Sequence, residues 1–345
     1  MHTTTVGVDL AKEVIQVCVV KRNKVLSNIE MTHLEFADWL RESKPARIIF
    51  EACLTSNYWY QTARQLSHDA HLVSAKLVSQ IRQNQKTDKN DALAVAQASQ
   101  LVDIQFVRGK TFAQQELQSI MRMRELAVKQ KVALRNQIQS LLAEFNIRVA
   151  SRNGGLSGTV QRVLEDAENG FNMFFREALH ASWKAFESAV ERVTEFDRLL
   201  VQAMKEHPDC KKLSALEGVS TINAVNLYIA LSCDDSASFK TGRDASACIG
   251  VTPIQHSSGG KTKLGSIGKH VKNGMLRSHL VSGAMAVVNQ VSKREPRTTK
   301  EQWLKQLIER RGKRCAAVAL ANKTVRTAFA MLSKGTEYQA QAITA

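Results

Sequence analysis

Four carboxylates stand where they can share one metal site. Asp9 lies in the run Gly7-Val8-Asp9-Leu10 at the end of the first strand-like segment, and Glu51 follows the apolar run Arg47-Ile48-Ile49-Phe50. Asp88 and Asp91 lie in Lys86-Thr87-Asp88-Lys89-Asn90-Asp91. Residues three apart share a helix face, so a helix that starts at Asp88 points both aspartates at one place. Carboxylate oxygens suit Mg²⁺, and two such ions about 3.5–4 Å apart stabilise the attacking and leaving oxygens of a phosphoryl displacement. Taken singly, each acid is more simply a solvated strand end or helix N-terminus. Their joint placement is what points to chemistry.

A second group is Pro253-Ile254-Gln255-His256-Ser257-Ser258-Gly259-Gly260-Lys261-Thr262-Lys263, a serine-glycine loop. A serine hydroxyl attacks phosphorus only when a base accepts its proton and positive charge meets the developing negative charge. Lys261, Lys263 and Lys269 can supply the charge, with His256 or a hydroxide at the metal site as the base. Alone, the segment reads equally as an ordinary flexible turn. A third group is Leu216-Glu217-Gly218-Val219, a glycine turn between two short helices. Its N–H groups can meet a phosphate without reading sequence, or the turn can simply pack. The residues leave both open.

The elements that must position these groups are legible from periodicity. Residues 4–9, 14–20 and 25–31 are short β-branched runs, the last two joined by Lys21-Arg22-Asn23-Lys24, which predicts a meander with a hairpin turn. Thr32 and Glu35 have capping-box spacing ahead of a helical pattern. A buried strand ending on Glu51, a helix over 57–66, a strand over 71–74 and a helix from Asp88 follow. Strand and helix alternate to about residue 108, an α/β pattern. That beginning also opens sugar-kinase and actin-like ATPase folds, but Ala11-Lys12 follow Asp9 and no glycine-rich phosphate loop occurs downstream, so nucleotide hydrolysis is the weaker reading.

From 111 to 145 a long helix is predicted, with Ile120, Ala127, Leu134 and Leu141 at seven-residue spacing and Arg124, Lys131, Ile138 and Phe145 interleaved. The two charged residues in the seam favour a helical hairpin or short oligomerising coil over a continuous coiled coil. Helix resumes from 160 to 205, with a break at Asn169-Gly170. The expected domains are 1–110, 111–207 and 208–345.

With 345 residues and 44% hydrophobic composition, the chain can fill more than one core. Its formal charge of +16 attracts polyanions. Most of that surplus sits late in the chain, where His256 to Arg314 hold fourteen Lys or Arg against three Glu. No run of eighteen apolar residues and no secretory segment occurs, so no membrane span is expected and the expected location is the bacterial cytoplasm, at the nucleoid. Six cysteines without a C-x-x-C pair argue against a zinc ribbon or a disulfide framework. With only 6% aromatics, base-stacking modules are not expected, and phosphate contacts should dominate binding.

In order and spacing, Gly7-Val8-Asp9-Leu10-Ala11-Lys12, Phe50-Glu51-Ala52, Lys86 through Ala92, Leu216-Glu217-Gly218-Val219 and Ile249-Gly250-Val251-Thr252-Pro253 through Lys261 resemble the DEDD transposases of the insertion sequence 110 family, which includes Piv-type DNA invertases. The His-Ser-Ser-Gly-Gly-Lys form is similar to the subgroup typified by insertion sequence 1111. The resemblance implies an α/β RNase H-like (RuvC-like) N-terminal domain, a helical coiled-coil spacer and a mostly α C-terminal transposase domain. It implies catalytic Asp9, Glu51, Asp88 and Asp91 holding Mg²⁺, two ions per site, and a serine that joins covalently to DNA. Aligned from Pro253, that serine is Ser258, with Ser257 beside it as the other candidate.

The resemblance also implies a noncoding bridge RNA pairing with donor and target DNA, and a dimer of dimers whose active site combines one protomer's acidic domain with another's serine domain. Nucleic-acid contacts are expected from Lys86, Lys89, Gly218, Lys261, Lys263, Lys269 and Arg277. One departure is Ile267-Gly268-Lys269-His270-Val271, where relatives carry Ile-Ser-Lys-Arg-Gly. Two alternatives stand beside this reading: a RuvC-like, metal-dependent nuclease without a covalent intermediate, and a binding scaffold that has lost activity. The scaffold is disfavoured because all four acids are present.

Overall fold

The computed structural model describes residues 4–150, 154–231, 239–268 and 274–343. Strands β1 (Thr5–Leu10), β2 (Val14–Lys21) and β3 (Lys24–Thr32) form the expected antiparallel meander. Arg22 and Asn23 both have positive φ, 50° and 60°, the two-residue turn whose twist matches that of the flanking strands. The chain enters α1 (His33–Glu42) through the predicted capping box. The Glu35 N–H donates to Thr32 Oγ1 at 3.2 Å and the Thr32 N–H to Glu35 Oε2 at 2.7 Å.

Strand β4 (Arg47–Glu51) runs parallel to β1, and β5 (Asp69–Val73) parallel to β4, with α2 (Ser56–Gln65) between them. The five-stranded order is β3-β2-β1-β4-β5. Successive strand residues face opposite sides. Val6, Val8, Ile48 and Phe50 pack with Phe36 of α1 and Trp59 of α2 on one face. The other face carries α3 (Ala75–Ile81) and α4 (Asp88–Ala98), with Ile49 and Val73 against Val95 and Ala98. Parity therefore assigns Gly7, Asp9 and Glu51 to the face that α4 covers.

The described residues form two compact units, one from residues 4–113 and 239–241, the other from 114–231 and 242–343. The second takes in α5 (Phe112–Glu144) from Gln114 onward, then α6 (Gly155–Glu165) and α7 (Met173–Glu206). Ile138 and Leu142 of α5 pack with Val160 and Leu179, and Arg124 pairs with Asp197 of α7, so α5 and α7 close a helical hairpin within the chain. The expected seam is corrected at its end. Leu141 and Phe145 stay exposed and Leu142 takes the buried place, because a helix of 3.6 residues per turn drifts off a strict seven-residue repeat.

Beyond lie α8 (Pro208–Lys212), a 3-10 turn at Leu213–Ala215, α9 (Thr221–Leu231) and α10 (Gly242–Ile249). Strands β6 (Pro253–Ser258) and β7 (Lys261–Ile267) pair antiparallel, followed by α11 (Gly274–Val291) and α12 (Thr299–Lys334). The region is helical apart from this two-stranded hairpin. The predicted serine-glycine loop is thus corrected to paired strands, with Gly259 and Gly260 at positive φ, 54° and 75°, as the turn.

Candidate active site

Asp9, next to last in β1, and Glu51, last in β4, lie on the same face of neighbouring parallel strands, one residue beyond the aligned pair Val8 and Phe50. Thr87 caps α4 by accepting from the Asn90 N–H at 3.3 Å, which starts the helix at Asp88 and sets Asp91 one turn on. Asp91 is buried. Burial, then the charges of Glu51, Asp91 and Asp88, push the Asp9 carboxyl up to about 6. Glu51 is also raised, by burial and then by Asp91, against the lowering pull of Lys86 and Arg82. The four predicted acids therefore share one electrostatic neighbourhood.

Gly7 explains how α4 comes so near. A Cβ there would lie 2.2 Å from Ala92 O and 2.5 Å from Ala96 N, so only glycine lets the helix backbone rest on β1. A polar chain fixes the helix start: Gln16 Nε2 donates to Asn28 Oδ1 at 2.8 Å, and Asn28 Nδ2 donates to Lys89 O at 2.9 Å. Sequence reasoning missed Gln16 and Asn28, although a glutamine amid the apolar residues of β2 was a visible signal. It also missed Arg82, at the end of α3, whose Nη1 donates to Asp91 Oδ1 at 2.6 Å.

The donor set is all hard carboxylate oxygen, and its mutual repulsion is the kind a divalent cation relieves. The residues fit such an ion in chemistry. Among the described residues, however, no three acidic, His or Cys side chains are gathered tightly enough to hold one. Asp91 is turned to Arg82 instead.

The serines occupy a different setting. Ser258 pairs with Lys261, Ser257 with Thr262 and His256 with Lys263 across the hairpin. Alternation gives Ser258, His256, Lys261 and Lys263 one face, and Ser257 and Thr262 the other. All six are exposed. At the hairpin base Arg277 Nη1 donates to Ile267 O at 3.1 Å, and its guanidinium fills the space a Cβ on Gly268 would need. Arg277 is therefore a strut here. Lys269 lies outside the described residues.

Gly218, at φ 76°, packs against α11, where a Cβ would meet Gly283 O at 2.7 Å. Close packing accounts for this glycine without a phosphate. Its neighbour Glu217 accepts from Lys300 Nζ at 2.6 Å and from the Tyr338 hydroxyl at 2.7 Å. Burial opposes the Glu217 charge, but these bonds outweigh it and hold the carboxyl below its ordinary range. Lys86 and Lys89 are exposed at the start of α4.

Likeness to known proteins makes this protein a transposase, an enzyme that acts on DNA. Residues 6–147 match the DEDD transposase family of IS110 type, and residues 210–300 match the transposase IS116/IS110/IS902 family. The chain is 32% identical to the transposase for insertion sequence element IS1111A of Coxiella burnetii, over 96% of this chain and 90% of that one. It is 31% identical to a probable family 20 transposase of Pseudomonas aeruginosa, over 98% and 99%. With the transposase for insertion sequence element IS1328 of Yersinia enterocolitica it shares 25% identity, over 98% and 99%. The chain belongs to the IS110 family of transposases, whose DEDD signature implies use of a divalent metal.

Proposed function

We propose that this transposase cuts DNA at the Asp9, Glu51, Asp88 and Asp91 cluster, in an RNase H-like (RuvC-like) domain, to move an insertion sequence. The observation that carries this reading is the placement of Asp9 and Glu51 one residue beyond the aligned pair Val8 and Phe50, on the face that α4 covers, where burial and then neighbouring acids raise both carboxyls. Asp9 and Glu51 would hold a divalent cation from the sheet, and Asp88 and Asp91 from α4. Bound there, Mg²⁺, as one ion or two, supplies Lewis-acid stabilisation of charge on the transferring phosphoryl group. The DEDD family match favours hydrolysis of the RuvC type, in which water attacks phosphorus and the 3′ oxygen leaves.

A second reading has its own observation. Ser258 shares an exposed hairpin face with His256, Lys261 and Lys263, a base and two cations around one hydroxyl. In that reading Ser258 Oγ attacks phosphorus, His256 takes its proton, and a DNA hydroxyl leaves, so the protein becomes esterified to DNA. The family resemblance extends this to guidance by a bridge RNA and to a dimer of dimers that brings one protomer's serine to another's acids. Donor DNA, metal and candidate RNA incubated with the protein and run under denaturing conditions separate the readings. Hydrolysis gives free DNA ends only. A protein–DNA band absent in Ser258→Ala but kept in Ser257→Ala establishes the serine route.

A further inference from the structure

The basic segment from His256 to Arg314 does not offer its charge evenly. Arg294 is paired with Glu301 at 2.6 Å, Lys300 with Glu217 at 2.6 Å and Lys305 with Glu295 at 2.7 Å. Those cations serve the fold. By contrast, Arg310, Arg311, Lys313 and Arg314 make no ion pair among the described residues, and all four are exposed.

They flank Gly312, whose φ 76° and ψ 165° break α12. Across the break Lys323 Nζ lies 4.5 Å from the Trp303 ring centroid. Residues twenty apart in one straight helix would be about 30 Å apart. The two arms of α12 therefore fold back on each other, and the Arg-Arg-Gly-Lys-Arg turn is the tip of a helical hairpin. Nothing lies within 4 Å of a Cβ built on Gly312, so the tip is open as well as charged.

We propose that this tip is a docking surface for the phosphate backbone of duplex DNA, an inference that rests on the reading of the chain as a DNA-cutting transposase. Four cations in five residues span at most about 15 Å, short enough to straddle neighbouring phosphates. The glycine without a side chain between them lets the backbone approach the DNA closely. Helical arms hold the cations in place, which reduces the ordering cost of binding. Guanidinium and ammonium groups that meet phosphate position the protein without reading sequence.

The test is duplex binding by the full-length protein at several salt concentrations, with a variant carrying Arg310→Ala, Arg311→Ala, Lys313→Ala and Arg314→Ala. Alanine preserves the helical arms, and circular dichroism checks that they remain. The log–log salt slope should shrink by roughly 0.9 for each phosphate that the variant no longer neutralises, about 2 to 4 in all, and affinity near 0.1 M salt should fall at least about tenfold. A control removing Arg122, Lys129, Arg135 and Arg192, exposed cations of α5 and α7, should leave the slope unchanged.

Equal weakening in both variants would mean that net charge acts rather than the tip, and would overturn the proposal. So would an unchanged slope in the tip variant, or a defect confined to structured RNA. Cation-dependent cleavage by the wild type reports separately on the acidic site. Wild-type cleavage with an unaltered tip variant sinks only the tip, whereas absence of both cleavage and duplex binding sinks the reading beneath it.

Discussion

Asp9 departs from an ordinary carboxylate in a way that bears on the site. Its carboxyl titrates near 6 in the fold against 3.8 ordinarily, because burial and three neighbouring acids disfavour its charge. The folded state thus binds this proton more tightly than the unfolded chain. Its contribution to stability is full below about 3.8 and is lost as pH rises through about 6. Without metal, Asp9→Asn should stabilise the protein at pH 7 by about 1 kcal/mol, once solvent screening of a part-exposed carboxyl is allowed for, and this is readable as a higher Tm. A lower Tm would mean that Asp9 is not repelled by its neighbours. Divalent affinity should rise between pH 5 and 7 as the proton leaves, which calorimetry reads.

Arg82→Gln leaves Asp91 buried without its partner. It should cost about 2 kcal/mol in the metal-free protein, with Mn²⁺ recovering part of the stability. Urea unfolding with and without the cation checks this. The acids were legible because strand ends and an i,i+3 pair are sequence features. Arg82 was not, since its partner lies nine residues away across a turn that no periodicity marks.

At the scale of elements, the approach of α4 to β1 decides whether the acids meet. Gly7→Ala would drive a methyl into the Ala92 carbonyl, costing about 3 kcal/mol and shifting Asp88 and Asp91. The expected result is a protein that still binds duplex DNA but no longer binds divalent cations. Intact metal affinity in Gly7→Ala would show that α4 does not depend on that close approach.

The meander, the capping box and the parallel strands were legible because period-2 runs and turn residues determine them locally. The packing of Gly7 on α4 joins residues some eighty-five positions apart, so sequence spacing is silent on it. The β6–β7 hairpin was misread because its strands are polar and exposed on both faces, leaving no hydrophobic alternation to see. Only the paired glycines at 259 and 260 hinted at a two-residue turn.

At the scale of the whole molecule, the proposed function divides the work between a net charge of +16, which would hold DNA, and the acidic cluster, which would cut it. The charge was readable at once, but its division into paired and open cations was not, because ion pairs such as Lys300 with Glu217 join distant segments. Duplex binding should weaken steeply with salt, the log–log slope steepening by roughly 0.9 per phosphate neutralised, in wild type and in acidic-site variants alike. Binding indifferent to salt would remove the phosphate backbone as the basis of recognition.

The proposed cutting site is tested most directly by incubating a supercoiled plasmid carrying the element and its flanks with the protein, in Mg²⁺ or Mn²⁺ and in chelator. Wild type should be compared with Asp9→Asn and Asp88→Asn, and strand breaks read on denaturing gels. Wild type should break strands only with the cation, and both variants should bind the plasmid normally yet leave it intact. Breaks that persist in the variants, or in chelator, would contradict an acidic metal site as the place where this transposase cuts DNA.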